Sequence, residues 1–313
     1  MANPLVIKPL KASMATVLSG IGKLTGPMKP PLWLEYQAYL TSGVQSDFTV
    51  PANVYQIYAM VWGGGGNASV GHNSGSGGGC AYGIIDVVPG QVLPTITVGA
   101  ATGTSSIGTL LSATGGASNA GAAGTGSKSA LIRLGGTATG GVGLAGAARP
   151  GGASSGSNYA TSGFNGVDTR AGGAGWGGVG VTIGGGGSCI FAATTTTGAG
   201  TASGTGAGVC SSLAGAGSSN WCDVANKTLN GAGGAPGGGG GGAGAGGGSG
   251  GVGGIGGGGG GEAGAGGFGG GGGGSNIGAG AVGGKGGGGA GAGNTGTISG
   301  GIGAILLFWT TGY

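Results

Sequence analysis

The segment Phe48–Gly66, FTVPANVYQIYAMVWGGGG, sets the reading of this chain. Between Val54 and Trp62 the residues Val54, Gln56, Tyr58, Met60 and Trp62 alternate with Tyr55, Ile57, Ala59 and Val61, the two-residue period of a β-strand. Both alternating sets are largely apolar, so the strand is expected to be covered on both faces, as a central strand is. It runs straight into four glycines. Working outward, Tyr82–Val88 is the next expected strand, stopped by the turn pair Pro89-Gly90. Leu93–Val98, Ile107–Ser112 and Ala130–Leu134 follow. The last is 304–310, AILLFWT, the one strongly apolar run after the glycine-rich tract. The first and last of these strands are expected to pair and bring the two ends of the domain together.

Glycine supplies 98 of 313 residues and charged residues only 5%, so an ordinary side-chain core cannot be assumed throughout. Collagen is excluded, because only 10 prolines are present and no strict G-X-Y phase runs through the chain. Whole-chain disorder is disfavoured by 38% hydrophobic residues and the scarcity of charge. The net charge of +4 comes from scattered residues, concentrated only at Lys8, Lys11, Lys23 and Lys29. No basic face or aromatic stacking platform for nucleic acid is visible. No window approaches the roughly 20 continuous apolar residues of a membrane-spanning helix, and no membrane insertion is expected. Lys8, Pro9 and Lys11 interrupt any signal-peptide core at the N-terminus.

Two further regions stand out. Residues 1–46 have ordinary composition, with Pro27, Pro30 and Pro31 leading into the aromatic cluster Trp33, Tyr36 and Tyr39. This is either an attachment segment or an arm packed on the domain that follows at 47–313; 12–24 within it has the makings of a short helix, weakened by Gly20 and Gly22. At 231–301 side chains recur every third residue: Ser249, Val252, Ile255; then Glu262, Ala265, Phe268; then Ala279, Val282, Lys285. Three residues per turn is the period of the polyproline-II-type helix, which has no internal hydrogen bonds. With two of three side chains absent, such helices can approach until their backbone groups bond to one another. The expected architecture is mainly β with polyglycine-II helices, a sandwich-like glycine-rich domain with little α-helix.

Candidate chemistry is sparse. His72 lies alone in a Gly/Ser stretch that gives a catalytic base no rigid orientation. The carboxylates Glu35, Asp47, Asp86, Asp168, Asp223 and Glu262 are scattered, and Cys80, Cys189, Cys210 and Cys222 lack zinc-site spacing. No phosphate-binding glycine motif is present. No enzyme activity, metal or cofactor is expected. Tyr159, Phe164, Trp176, Phe191 and Trp221, with Arg170 and Lys227 nearby, are instead candidates for a binding surface: aromatic rings give large contact area at low entropy cost. They can equally be plugs under long loops.

The ordered set FTVPANVYQIYAMVWGGGG, GGGCAYGIIDVVPGQVLPTITVGA, TSSIGTLLSATGG and the closing GGIGAILLFWTTGY resembles the glycine-rich domain at the ends of bacteriophage tail fibres, from Phe48 to the C-terminus. The tract is also similar in composition to the polyglycine-helix tip adhesins of T-even-like phages. The resemblance implies a virion protein at a tail fibre or tail tip that recognises a receptor on the bacterial surface: a pilus, an outer-membrane protein or a glycan. The fibre resemblance implies a homotrimer, the preferred reading, and the tip-adhesin resemblance a single chain capping the fibre; Trp33, Tyr36 and Tyr39 of the N-terminal segment are the candidates for attachment to other tail proteins. A passive structural glycine-rich virion or wall protein is the rival reading, and an ice-binding protein a remote one.

Overall fold

Alternating apolar residues at 54–62 and 304–310 do produce neighbouring strands. In the computed structural model, β3 (Gln56–Trp62) pairs antiparallel with β10 (Ala304–Thr311), Trp62 opposite Ala304 and Tyr58 opposite Phe308. The structure describes residues 33–68, 73–145, 152–153, 155–156, 163, 266, 268–272, 282–287 and 298–311. Ten strands and no helix occur among them. They form two antiparallel sheets. The first has the order β1-β10-β3-β4-β9, adding β1 (Trp33–Tyr39), β4 (Cys80–Asp86) and β9 (Arg133–Ala138). The second runs β2-β5-β6-β7-β8, from β2 (Gly43–Val44), β5 (Ile96–Val98), β6 (Ser105–Ile107), β7 (Leu111–Ala113) and β8 (Gly126–Lys128).

The sheets share one core. Ile57, Ala59, Val61, Ile85, Ile305 and Leu307 of the first sheet cluster with Ile96, Val98, Ile107 and Leu111 of the second. Ile305 and Leu307 are wholly buried on a strand with a neighbour on each side; each such side chain contributes about 1.5–3 kcal/mol. Phe48 joins this core edge-on to Trp309, ring centroids 5.2 Å apart. The expected strand Ile107–Ser112 is in fact a hairpin: Gly108 turns the chain with a φ of 48°, splitting the run into β6 and β7. A left-handed residue inside an apolar run is invisible to a periodicity count.

The composition break near residue 46 is not a structural break. Trp33–Tyr39 enters the first sheet as β1, bonded to β10 over seven register pairs from Trp33–Thr311 to Tyr39–Ile305. Gly43–Val44 enters the second sheet. The possible helix at 12–24 lies outside the described residues.

Tyr39 is buried in the shared core. Burial first, then the nearby Asp47 carboxylate, push its phenol up to about 12 from 10.0. The folded state therefore resists forming the phenolate. The contribution is fully present below pH 10 and is lost as pH rises through about 12. The expected outcome is a fall in stability across that alkaline window that is shallower in Tyr39→Phe, read from denaturant midpoints at a series of pH values. An unchanged slope in the variant would assign the loss to other groups.

Candidate functional site

Where the sheet ends, the glycine runs begin, and their backbone groups follow a different rule. Gly63 donates to Gly79 O, Gly64 to Gly103 O, Gly65 to Gly301 O, and Gly66 to Ser76 O. Three successive amides thus turn to three different neighbours, and the fourth returns to the first neighbour three residues earlier in its sequence. The next segment repeats this: Ser76 donates to Ala117 O, Gly77 to Gly141 O, Gly78 to Gly286 O, and Gly79 to Thr114 O. A β-strand alternates between two sides with period two; here the period is three. The described parts of 231–301 join the same layer, Gly284 donating to Gly270 O and Gly301 to Gly287 O.

Buried polar groups in this layer are satisfied as burial requires. Ser76 Oγ accepts from Gly143 N at 2.8 Å, Ser74 Oγ from Leu144 N at 2.9 Å, and Ser105 Oγ from Gly99 N at 2.9 Å. Asn67 Oδ1 takes the Gly300 amide at 3.0 Å.

Sheet and glycine layer meet at Trp62. Its Nε1 donates to Gly156 O at 3.1 Å and its ring stands edge-on to Phe268, centroids 4.8 Å apart. Lys285, one of the three-spaced side chains, donates through Nζ to Leu40 O at 2.7 Å. Burial lowers its pKa. Phe268, Val282, Lys285 and Ile302 line an open cavity of about 430 Å³ with Gly266, Gly283, Gly284, Gly300 and Gly301.

On the face of the first sheet turned away from the second sheet, Met60, Trp62, Cys80, Ala138 and Ala304 are buried, while Tyr58, Tyr82, Leu306 and Phe308 are half-buried beside them. Tyr36 meets Phe308 with centroids 6.1 Å apart, and Tyr58 meets Tyr82 at 6.3 Å. Cys80 is wholly buried, which pushes its thiol well above the ordinary range and leaves it unreactive. The Tyr82 phenol is raised by burial first and by Cys80 second. At the far edge Arg133 pairs with Asp86, Nε to Oδ2 at 2.7 Å and Nη2 to Oδ1. The Arg133 hydrogen bond holds the Asp86 carboxyl below its usual value; the pair is exposed, where such bridges contribute little to stability.

Of the expected attachment residues, all three lie on β1 but do not share a face. Tyr36 is 46% exposed beside Phe308, Tyr39 is a core residue, and Trp33 opens the strand. Tyr159, Phe164, Arg170, Trp176, Phe191, Trp221 and Lys227 lie outside the described residues, as does His72. The seven binding candidates, unlike His72, fall on one stretch of chain whose two flanks, Gly156 and Gly266, bond into the glycine layer through Gly78 O and Val282 O. Sequence reasoning missed Tyr58, Tyr82 and Phe308 as an aromatic surface. The signal was there in the period-two pattern, but which alternate set would face the second sheet depends on the partner strands. No group of three or more His, Cys, Asp or Glu side chains gathers among the described residues.

No protein-family model matches the chain, and comparison with curated proteins finds no significant similarity.

Proposed function

We propose that this protein is a receptor-recognising adhesin of a bacteriophage tail fibre or tail tip, acting by binding without bond cleavage. The glycine layer is read as a bundle of polyglycine-II helices, and the observation that carries the reading is the three-residue return of its backbone hydrogen bonds. A layer held by backbone groups leaves side chains free for other work. The stretch inserted between Gly156 and Gly266 can therefore vary without disturbing the bonds that hold its base. That stretch contains the rare aromatic residues Tyr159, Phe164, Trp176, Phe191 and Trp221, with Arg170 and Lys227, a composition suited to recognition. β1 ties the preceding chain into the sheet and suits transmission of load to other tail proteins.

Purified full-length protein is expected to bind a subset of bacterial strains saturably and to block phage adsorption to them. Trp221→Ala is expected to weaken that binding by about tenfold or more while leaving thermal unfolding unchanged. A folded protein that binds no strain tested would move the reading to a passive structural role in the particle.

A further inference from the structure

The four sheet edges are not alike. β9 carries a register shift opposite Tyr82 and Ile84 and bears Arg133. β8 is three residues long and ends in Lys128, and β2 has two residues. Bulges, cations and shortness are the devices that keep a sheet edge from pairing with another chain. β1 has none of them. It is seven residues long, pairs with β10 without a shift, contains no Lys, Arg or Pro, and among the described residues has no strand on its outer side.

Its sequence, WLEYQAY, is also complementary to itself. Laid antiparallel against a second copy with Tyr36 opposite Tyr36, it places Trp33 opposite Tyr39, Leu34 opposite Ala38, and Glu35 opposite Gln37. The pairs about the dyad match in kind: Tyr36 with itself, Leu34 with Ala38, and Glu35 with Gln37. The one charge of the strand meets no like charge, and its carboxylate is already held, Oε2 by Trp309 Nε1 at 3.1 Å and Oε1 by Thr311 Oγ1 at 3.1 Å. On the other face Leu34 and Tyr36 are exposed, and Tyr36 adjoins Phe308. A dyad at Tyr36 joins that apolar face to its copy without a gap.

We infer that β1 is a dimerisation edge, at which a second copy of this chain adds antiparallel through a two-fold axis at Tyr36 to make one sheet with five strands from each copy. An isologous pairing of this kind closes after two copies, so the assembly set by this edge is a dimer where the resemblance implied a trimer. The inference stands apart from the adhesin reading, since it concerns mass and not receptor.

Sedimentation equilibrium of the full-length chain is expected to give twice the 28.0 kDa chain mass. Tyr36→Lys, which opposes two cations at the dyad and removes the aromatic pair, is expected to raise the dimer dissociation constant at least about tenfold with circular dichroism unchanged. Tyr36→Cys, in a chain with Cys189, Cys210 and Cys222 replaced by Ser, supplies a second readout, expected to yield a covalent dimer on mild oxidation that the same chain with Tyr36 does not form. A monomer, as when the chain's own residues 1–32 cover β1, overturns the inference. So does a trimer, or a dimer that is indifferent to Tyr36→Lys and gives no covalent product in the Tyr36→Cys variant.

Discussion

Gly301→Ala is expected to cost roughly 2–4 kcal/mol, or to prevent folding, though it adds only one methyl group. The reason lies in what surrounds the position. A Cβ on Gly301 would overlap the carbonyl of Gly284 and come within 2.9 Å of Gly283 O. These are backbone atoms, so no side chain can rotate away; the whole neighbouring segment must shift. That shift strains two bonds of the layer, Gly301 N to Gly287 O at 2.9 Å and Gly65 N to Gly301 O at 2.7 Å. Each contributes about 0.5–1.5 kcal/mol when made and costs more when a buried partner is left unpaired. Urea unfolding measures the loss. Leu134→Ala is the control: it removes far more atoms, but Leu134 is 82% exposed, so its effect should stay within about 0.5 kcal/mol. Equal losses in both variants would mean that the glycine layer does not hold the fold.

The contrast explains what could be read in advance. Strands with two-residue alternation were legible because burial on a pleated sheet selects side chains: β3, β4 and β10 fall within two residues of where the pattern puts them. The pairing of β3 with β10 was legible because no other run after the glycine tract is apolar enough. β1 was not, since Trp33, Tyr36 and Tyr39 combine one buried ring and one exposed ring on a strand that starts amid prolines. The three-residue spacing of side chains could be counted only in the long glycine tract. Gly63–Gly66 and Ser76–Gly79 return their backbone hydrogen bonds after three residues, but glycine has no side chain to carry a period, so short runs give the reader nothing to count. The candidate recognition residues were chosen by composition, and their stretch is located only through its two anchored ends.

This division has a mechanical consequence. On the proposed adhesin reading, force applied to the stretch between Gly156 and Gly266 has to pass from the glycine layer to the sheet. Lys285 bridges to Leu40 O at the end of β1, but through one exposed hydrogen bond. Trp62 makes the larger connection, buried to 2% exposure between the two.

Trp62→Ala is accordingly expected to destabilise the protein by roughly 3–5 kcal/mol, from lost burial, the cavity left behind, and the loss of the indole N–H that donates to Gly156 O at 3.1 Å beside the Ser155 hydroxyl at 3.2 Å. Trp62→Phe separates these contributions: it keeps a ring against Phe268, whose edge-on contact at 4.8 Å tolerates the exchange, and forfeits the N–H, for an expected loss of about 1–3 kcal/mol. Denaturant unfolding followed both by far-ultraviolet circular dichroism and by hydrogen exchange of the glycine amides measures each loss and tests the coupling. If Trp62 joins layer and sheet into one cooperative unit, the two probes coincide in the unmodified protein and the Ala variant lowers both midpoints together. Should the glycine amides open in a separate, earlier transition that Trp62→Ala leaves in place, the layer is an independent unit resting on the sheet, and Trp62 does not couple the two.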